Sequence, residues 1–280
     1  MGWYSSGQRR ESPIVGSTAT IYTLRFAQAD QSEAALTALS DRTVGENLSI
    51  PGYPMARGKY RTDDSLIAGA SNTWLVHGDL LLHVAITDPL DLPVDPTTLA
   101  DLTKRAFDKQ IEMLKNYSPT PLDKISSLPL DVDGLLSRTI PLDKDELPVN
   151  GPDPSAVYPK QALLHAENYP DLAKAAYDDA GVDYVAEASS TIYRTKDASS
   201  TTRLIAAIES WFTKDYAKID GPPNLPGARC MTPKPDGSSS IYNPVCWIAV
   251  DRYVAEVTGR NPQDLHQRTA AQYKLLAGAR

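Results

Sequence analysis

The sequence predicts an α+β fold of two similar β-α-β-β-α units, each an antiparallel sheet with its helices on one face, packed as a pseudo-dimer. Three observations carry this. Apolar periodicity switches between two residues and about 3.6 residues in the same order twice. Landmarks recur at a nearly constant spacing, from Ile21 to Ile192 (171 residues) and from Trp74 to Trp247 (173 residues). The length of 280 residues suits two domains of roughly 150 residues.

The first unit spans 14–116. Residues 18–26 alternate and are β-branched, which predicts a strand. Residues 28–40 place Ala35, Leu36 and Leu39 at helical spacing, with Asp30 or Ser32 as cap. A loop through Ile50-Pro-Gly-Tyr-Pro-Met-Ala-Arg57 leads to a short strand, and a longer strand covers 73–86. Asp95-Pro96 opens a helix over 97–114, with Leu99, Leu102, Ala106 and Ile111 along one side.

The second unit spans 183–280 and repeats that order. A strand at 188–195 sets Ile192-Tyr193 over Ile21-Tyr22, and a helix follows at 203–212. Pro226-Gly-Ala-Arg229 falls over Pro54-Met-Ala-Arg57, and Cys246 to Val257 falls over the 73–86 strand with Trp247 on Trp74. Asn261-Pro262 starts the last helix, where Gln272 and Leu276 match Gln110 and Leu114. The connector, 117–182, is proline-punctuated through Val149-Asn-Gly-Pro-Asp-Pro154. It holds helical pieces at 160–165 and 171–180, the second ending at Gly181, and is expected to wrap the seam between the units. Residues 1–13 read as disordered.

The net charge of −7 provides no basic field for a phosphate backbone. Nucleic acid and anionic membranes are therefore poor partners. No apolar run reaches the ~18 residues that a spanning helix needs. The N-terminus has no apolar signal core, so the chain is either cytoplasmic or a trimmed form whose export signal is absent.

Cys230 and Cys246 flank a loop rich in turn formers, and a hairpin across it brings their Cβ atoms to bonding distance. The alternatives are a disulfide, which implies an oxidising compartment, or two buried thiols. A metal site lacks a nearby His or third Cys.

Catalytic motifs are sparse. Neither Gly-x-Ser-x-Gly, a phosphate-binding glycine loop nor His-Glu-x-x-His occurs. His77 and His83 lie six apart on the expected 73–86 strand, facing one side ~20 Å apart, too far to share a metal. His266 reads as solvated. Asp131-Val-Asp-Gly134 resembles a fragment of a calcium loop, but the closing ligands are missing, so Asp131 and Asp133 read as turn and cap residues. Asp178-Asp179 reads as a solvated helix face.

Five stretches together resemble a known family: Asn116-Tyr-Ser-Pro-Thr-Pro121, residues 128–141, Ala180-Gly-Val-Asp183, Cys230 with Cys246, and residues 264–276. They are similar to conserved lipoproteins of mycobacteria, nocardiae and rhodococci, classed as a domain of unknown function. The resemblance implies an exported protein held at the outer face of the cytoplasmic membrane by an acylated N-terminal Cys. This chain departs from that pattern: it has no signal peptide and no lipobox Cys, and it reads as starting inside the family's first domain. The resemblance also favours the Cys230–Cys246 disulfide. It brings no catalytic residues.

The leading expectation is a non-catalytic, extracytoplasmic, envelope lipoprotein-like protein that binds a small ligand or an envelope protein. Trp74, Trp247, Tyr193 and Arg229 are the candidate ligand-binding residues at the seam. No catalytic residue, metal or cofactor is assigned. The alternatives are a hydrolase or transferase using His77, Asp79 or His83, and an accessory subunit of an envelope complex.

Overall fold

In a computed structural model, residues 18–63, 68–88, 93–142, 155–167, 169–235 and 243–278 are described. The expectations for 1–13 and 149–154 lie outside these residues. The chain divides between Ser127 and Leu128 into two compact units, each with its own antiparallel sheet. The architecture is α+β.

In the N-terminal unit, the alternating stretch forms β1 (Thr18–Arg25), followed by α1 (Ala29–Ser40), β2 (Glu46–Leu48), β3 (Arg57–Asp63), β4 (Ala68–His77), β5 (Leu80–Asp88) and α2 (Pro96–Leu114). The sheet order is β1-β5-β4-β3-β2. The single strand expected over 73–86 is two strands. His77 pairs with Leu80, and Gly78 takes a left-handed φ of 62° at the turn, which costs glycine little. A two-residue turn leaves the period-2 alternation intact on either side, so the pattern alone ran straight through it. The correction also separates the histidines. His77 shares a face with Leu75 and Leu80, whereas His83 pairs directly with Trp74 on the other face.

The helices do not share a face, contrary to expectation. Leu99 and Phe107 of α2 pack on Leu75, Leu82, Val84 and Ile86. Burial of each such side chain contributes roughly 1.5–3 kcal/mol. At the far end of α1, Ser40 bonds to Arg57, which pairs with Trp74, so α1 covers the opposite side. As expected, Asp95 caps α2, accepting from the Thr97 and Thr98 amides at 2.9 and 3.3 Å. By contrast, α1 starts after Gln28 without a side-chain cap. Ser32 instead donates to the Ala29 and Gly78 carbonyls.

The C-terminal unit holds β6 (Ala156–Pro159), α3 (Lys160–Leu163), α4 (Pro170–Ala180), β7 (Tyr184–Glu187), β8 (Thr191–Arg194), α5 (Ala198–Phe212), β9 (Tyr216–Ile219), β10 (Arg229–Pro233), β11 (Val245–Val250), β12 (Tyr253–Thr258) and α6 (Pro262–Gly278). Its sheet order is β6-β7-β8-β12-β11-β10-β9. The last five strands thus follow the connection order of the N-terminal sheet. Here too the expected single strand, 246–257, is a hairpin, with Val250 pairing Tyr253 and Asp251 left-handed at the turn. The stretch expected to be a connector is divided. Residues up to 127 stay with the first unit, while β6, β7 and α4 build the second.

Helices again cover both faces. Leu204, Ile205 and Ile208 of α5, with Ala173, Ala176 and Tyr177 of α4, bury Tyr193, Met231, Trp247 and Val254. On the other side, Leu265 of α6 packs on Cys230, Cys246 and Val257, and Leu276 on Ile192, Ile248 and Val250. One correspondence shifts. Tyr22 pairs with His83 and Thr191 with Glu256, so Tyr22 matches Thr191 rather than Tyr193. A slip of two residues preserves the face of every side chain, so alternation could not detect it.

Candidate functional site: a polar cleft in the N-terminal unit

The loop 50–56 folds as two successive turns. The Tyr53 amide donates to the Ile50 carbonyl, and the Ala56 amide to the Tyr53 carbonyl, both at 3.0 Å. Tyr53 is anchored on α2: its hydroxyl donates to Asp108 at 2.6 Å, and its ring meets Phe107 edge-on at 5.4 Å. Burial, reinforced by the Asp108 carboxylate, pushes this hydroxyl up to about 12. Between the loop, the end of α1 and strands β2 and β3 lies a half-open cleft of about 650 Å³. That volume falls in the small-molecule range of roughly 300–1,000 Å³.

The cleft wall is polar. Ser40, Thr43, Asn47 and Ser49 supply hydroxyl and amide groups, and its charged residues are Asp41, Arg57 and Lys59. Arg57 and Lys59 are two apart on β3 and so share a face. The Lys59 ammonium donates to Asn47 Oδ1 at 2.7 Å. Arg57 donates to Ser40 Oγ at 3.3 Å and lies 4.0 Å from the exposed Asp41 carboxylate. Gly58 between them lets β2 approach, because a Cβ there would stand 2.6 Å from the Leu48 carbonyl oxygen.

The matching place in the C-terminal unit is built differently. Arg229 pairs with Trp247 across the sheet, as Arg57 does with Trp74. Its guanidinium donates to Glu209 at 2.9 Å, and Lys218 reaches the same carboxylate at 2.6 Å. The Glu209 side chain is 8% exposed. Burial raises its pKa, but the hydrogen bonds from Lys218 and Arg229 outweigh this and hold the carboxyl below the usual range.

The four candidate ligand residues have different settings. Trp74 and His83 stack with ring centroids 3.7 Å apart. Trp247 is fully buried, and its indole N–H donates to Glu256 at 2.8 Å. Tyr193 is buried beside Tyr177, 5.6 Å between rings. Arg229 stays half-exposed on its ion pair. The structure brings Trp247, Tyr193 and Arg229 onto one sheet face, and sets Trp74 at the matching position of the other sheet.

His83 faces an amide rather than a carboxylate. His83 Nε2 lies 3.1 Å from Asn72 Oδ1, and its Nδ1 is buried without a protein partner. Asp79 pairs with Arg25 at 3.3 Å. His266 bonds to the Asp220 carbonyl at 2.9 Å, so it is held rather than simply solvated. Asp131 accepts from the Leu136 and Ser137 amides, the cap expected of it, and Asp133 pairs with Arg194 at 2.8 Å. No cluster suited to a metal occurs among the described residues.

One buried polar group escaped the sequence reading. Tyr177 on α4 donates to Glu167, close to Tyr193. Burial raises the Glu167 carboxyl, against the Tyr177 hydrogen bond. Burial also pushes Glu256 up to about 7; the Trp247 hydrogen bond opposes this, while the Glu167 and Glu187 charges add to it. Single glutamates on a loop and on a strand carry no sequence signal of such a cluster. The Cys230–Cys246 disulfide is formed between directly paired residues of β10 and β11, and among the described residues no helix is long and apolar enough to cross a membrane.

The fold and cleft define an α+β protein of two sheet units, one of which carries an open polar site. The chain belongs to the family described as domain of unknown function DUF7373. The family's N-terminal domain matches residues 1–130 and its C-terminal domain residues 135–279, a division close to the structural break at Ser127. No curated protein and no solved structure matches the chain.

Proposed function

We propose that this is a non-catalytic, extracytoplasmic protein that binds a small polar ligand in the cleft of its N-terminal unit. The observation that carries the reading is the cleft of about 650 Å³ with its hydroxyl, amide and cationic wall. The compartment is supported by the Cys230–Cys246 disulfide, since such bonds persist in oxidising environments. The resemblance to actinobacterial envelope lipoproteins supports the same placement.

The reading includes a duplication, with the two units as copies of one ancestral unit. Shared strand order supports this. So do matching local details. Gly52 and Asn224 both take positive φ. The amides of Tyr53 and Leu225 donate to Ile50 and Pro222, and those of Ala56 and Ala228 to Tyr53 and Leu225. In this reading Trp74 and Trp247 are framework residues beside the matched arginines, and the N-terminal copy keeps the open cleft beside its arginine.

The test is a titration with neutral and charged sugars, followed through the backbone amide resonances of 40–59. Saturable shifts confined to that stretch are expected. Shifts spread over other residues, or none at all, would sink the cleft as a binding site.

A second reading, a subunit of a larger envelope assembly, is favoured by four large apolar side chains exposed between Met113 and Ile125 of the N-terminal unit: Met113, Tyr117, Leu122 and Ile125. Exposed apolar surface of this kind marks interaction sites. Photo-crosslinking from position 125 in the native envelope would yield one dominant adduct; an adduct-free result counts against it.

A further inference from the structure

Ser40 and Glu209 hold the same place in their helices. Each lies eleven residues beyond the alanine that opens its helix, Ala29 of α1 (40 less 29) and Ala198 of α5 (209 less 198). The register is fixed independently: Ser32 donates to the Ala29 carbonyl as Thr201 donates to the Ala198 carbonyl. Each residue then faces the arginine that pairs with the sheet tryptophan. In the C-terminal unit that residue is a buried carboxylate that neutralises Arg229 and Lys218. In the N-terminal unit it is a neutral hydroxyl.

The consequence is an excess of positive charge at the cleft. Arg57 and Lys59 supply two cations, and Asp41, mostly exposed and 4.0 Å from Arg57, is the one anion on the lining. The cleft therefore carries a net charge of +1 on a chain of net −7. An arginine fork without a tight carboxylate partner is suited to bidentate recognition of a carboxylate or phosphate. The neighbouring hydroxyls and amide of Ser40, Thr43, Asn47 and Ser49 are suited to a hydroxylated body attached to that anion.

We propose that the cleft takes a small hydroxylated anion, a sugar bearing a carboxylate or a phosphate, held at Arg57 with Lys59 as the second cation. The inference rests on the cleft being the binding site and adds the charge of the ligand. An incoming anion does in the N-terminal unit what the Glu209 carboxylate does in the C-terminal one.

The experiment uses the full chain with three probes at low ionic strength: glucuronate, glucose 6-phosphate and uncharged glucose. At least one anion should bind about tenfold or more tightly than glucose, and added salt should weaken it. Whichever anion prevails distinguishes carboxylate from phosphate. Arg57→Gln should abolish the advantage of the anion over glucose. Ser40→Glu, which installs the internal counter-ion of the other unit, should do the same while leaving Arg57 in place. Because Ser40 is buried, thermal unfolding accompanies that variant; if it does not fold, Arg57→Gln at its half-exposed site decides alone. Equal affinity for all three sugars at residues 40–59 would overturn the inference and leave the cleft reading standing. Absence of any shift at 40–59 would overturn both.

Discussion

The indole of Trp74 lies on the imidazole of His83, ring centroids 3.7 Å apart and planes 20° from parallel. Tyr22 stacks on the same imidazole at 5.7 Å, so the ring is enclosed by aromatic neighbours on the face that α1 covers. The matched pair in the other unit, Trp247 and Glu256, is joined by a hydrogen bond. Two sheets that share the order of five strands thus bury a base in one and an acid in the other, and the two should respond to pH in opposite senses.

Burial lowers His83 from 6.5 to about 4. Its folded form therefore takes up a proton less readily than the unfolded chain. Stability is whole above pH 6.5 and declines as pH falls towards 4, by at most on the order of 3 kcal/mol for a shift of this size. Urea unfolding of the N-terminal unit at pH 7 and pH 4.5 measures this. His83→Gln, which keeps a donor for Asn72, should flatten the dependence. An unchanged pH slope in the variant would assign the effect to other groups.

Glu256 has the opposite sign. Burial lifts its carboxyl from 4.5 to about 7, so the folded unit holds a proton that the unfolded chain releases. Stability from this group is full below pH 4.5 and is lost as pH rises through 7. Glu256→Gln keeps an acceptor for the Trp247 indole and removes the charge. Its urea midpoint should exceed that of the wild type at pH 8 and match it near pH 4.5. A variant less stable than wild type at pH 8 would mean the ionised carboxylate is well accommodated.

Local chemistry was readable in the chain. Asp95-Pro96 marked the start of α2 and Gly181 the end of α4, because caps depend only on neighbouring residues. What escaped was set by tertiary contact. The turn at Gly78-Asp79 lay hidden inside continuous alternation. The strand β5, Leu-Leu-Leu-His-Val-Ala-Ile, is buried on both faces, and its continuous apolar run is the sequence sign of cover on both sides. At the cleft, the pairing of Pro54-Met-Ala-Arg57 with Pro226-Gly-Ala-Arg229 was visible. The opposition of Ser40 to Glu209 was not, because it joins a helix end to a strand across the fold.

The disulfide lies on the α6 side of the C-terminal sheet, with Cys230 and Cys246 both buried and 16 residues apart. Loop closure of this length stabilises by roughly 3 kcal/mol in the chain-entropy treatment. A Cys230→Ala, Cys246→Ala double variant should lower the stability of residues 128–278 by about 2–4 kcal/mol. Hydrogen exchange resolves the two units: amides of β10, β11 and α6 should lose protection while those of β4 and β5 keep it. Uniform loss over both units would show that the units unfold as one.

Gln272 of α6 makes three side-chain hydrogen bonds. It is completely buried. Its carbonyl accepts from the Ser190 hydroxyl at 2.6 Å and from the Ile140 amide at 3.2 Å. Its amide donates to the Arg138 carbonyl at 2.7 Å. One side chain thus engages two backbone groups, one at the end of the short 3-10 turn Leu136–Arg138 and one just after it, and ties that segment to Ser190 next to β8. Alanine there orphans a carbonyl and weakens the amide, each at roughly 1–3 kcal/mol, and leaves a cavity. Gln272→Ala should therefore cost about 3–5 kcal/mol by urea unfolding, whereas Gln110→Ala, at the position expected to match it, should cost under about 1 kcal/mol because its bond to Thr23 is long, 3.4 Å, and exposed. Equal losses at the two positions would show that helix packing, rather than this three-bond clamp, governs the stability of the C-terminal unit.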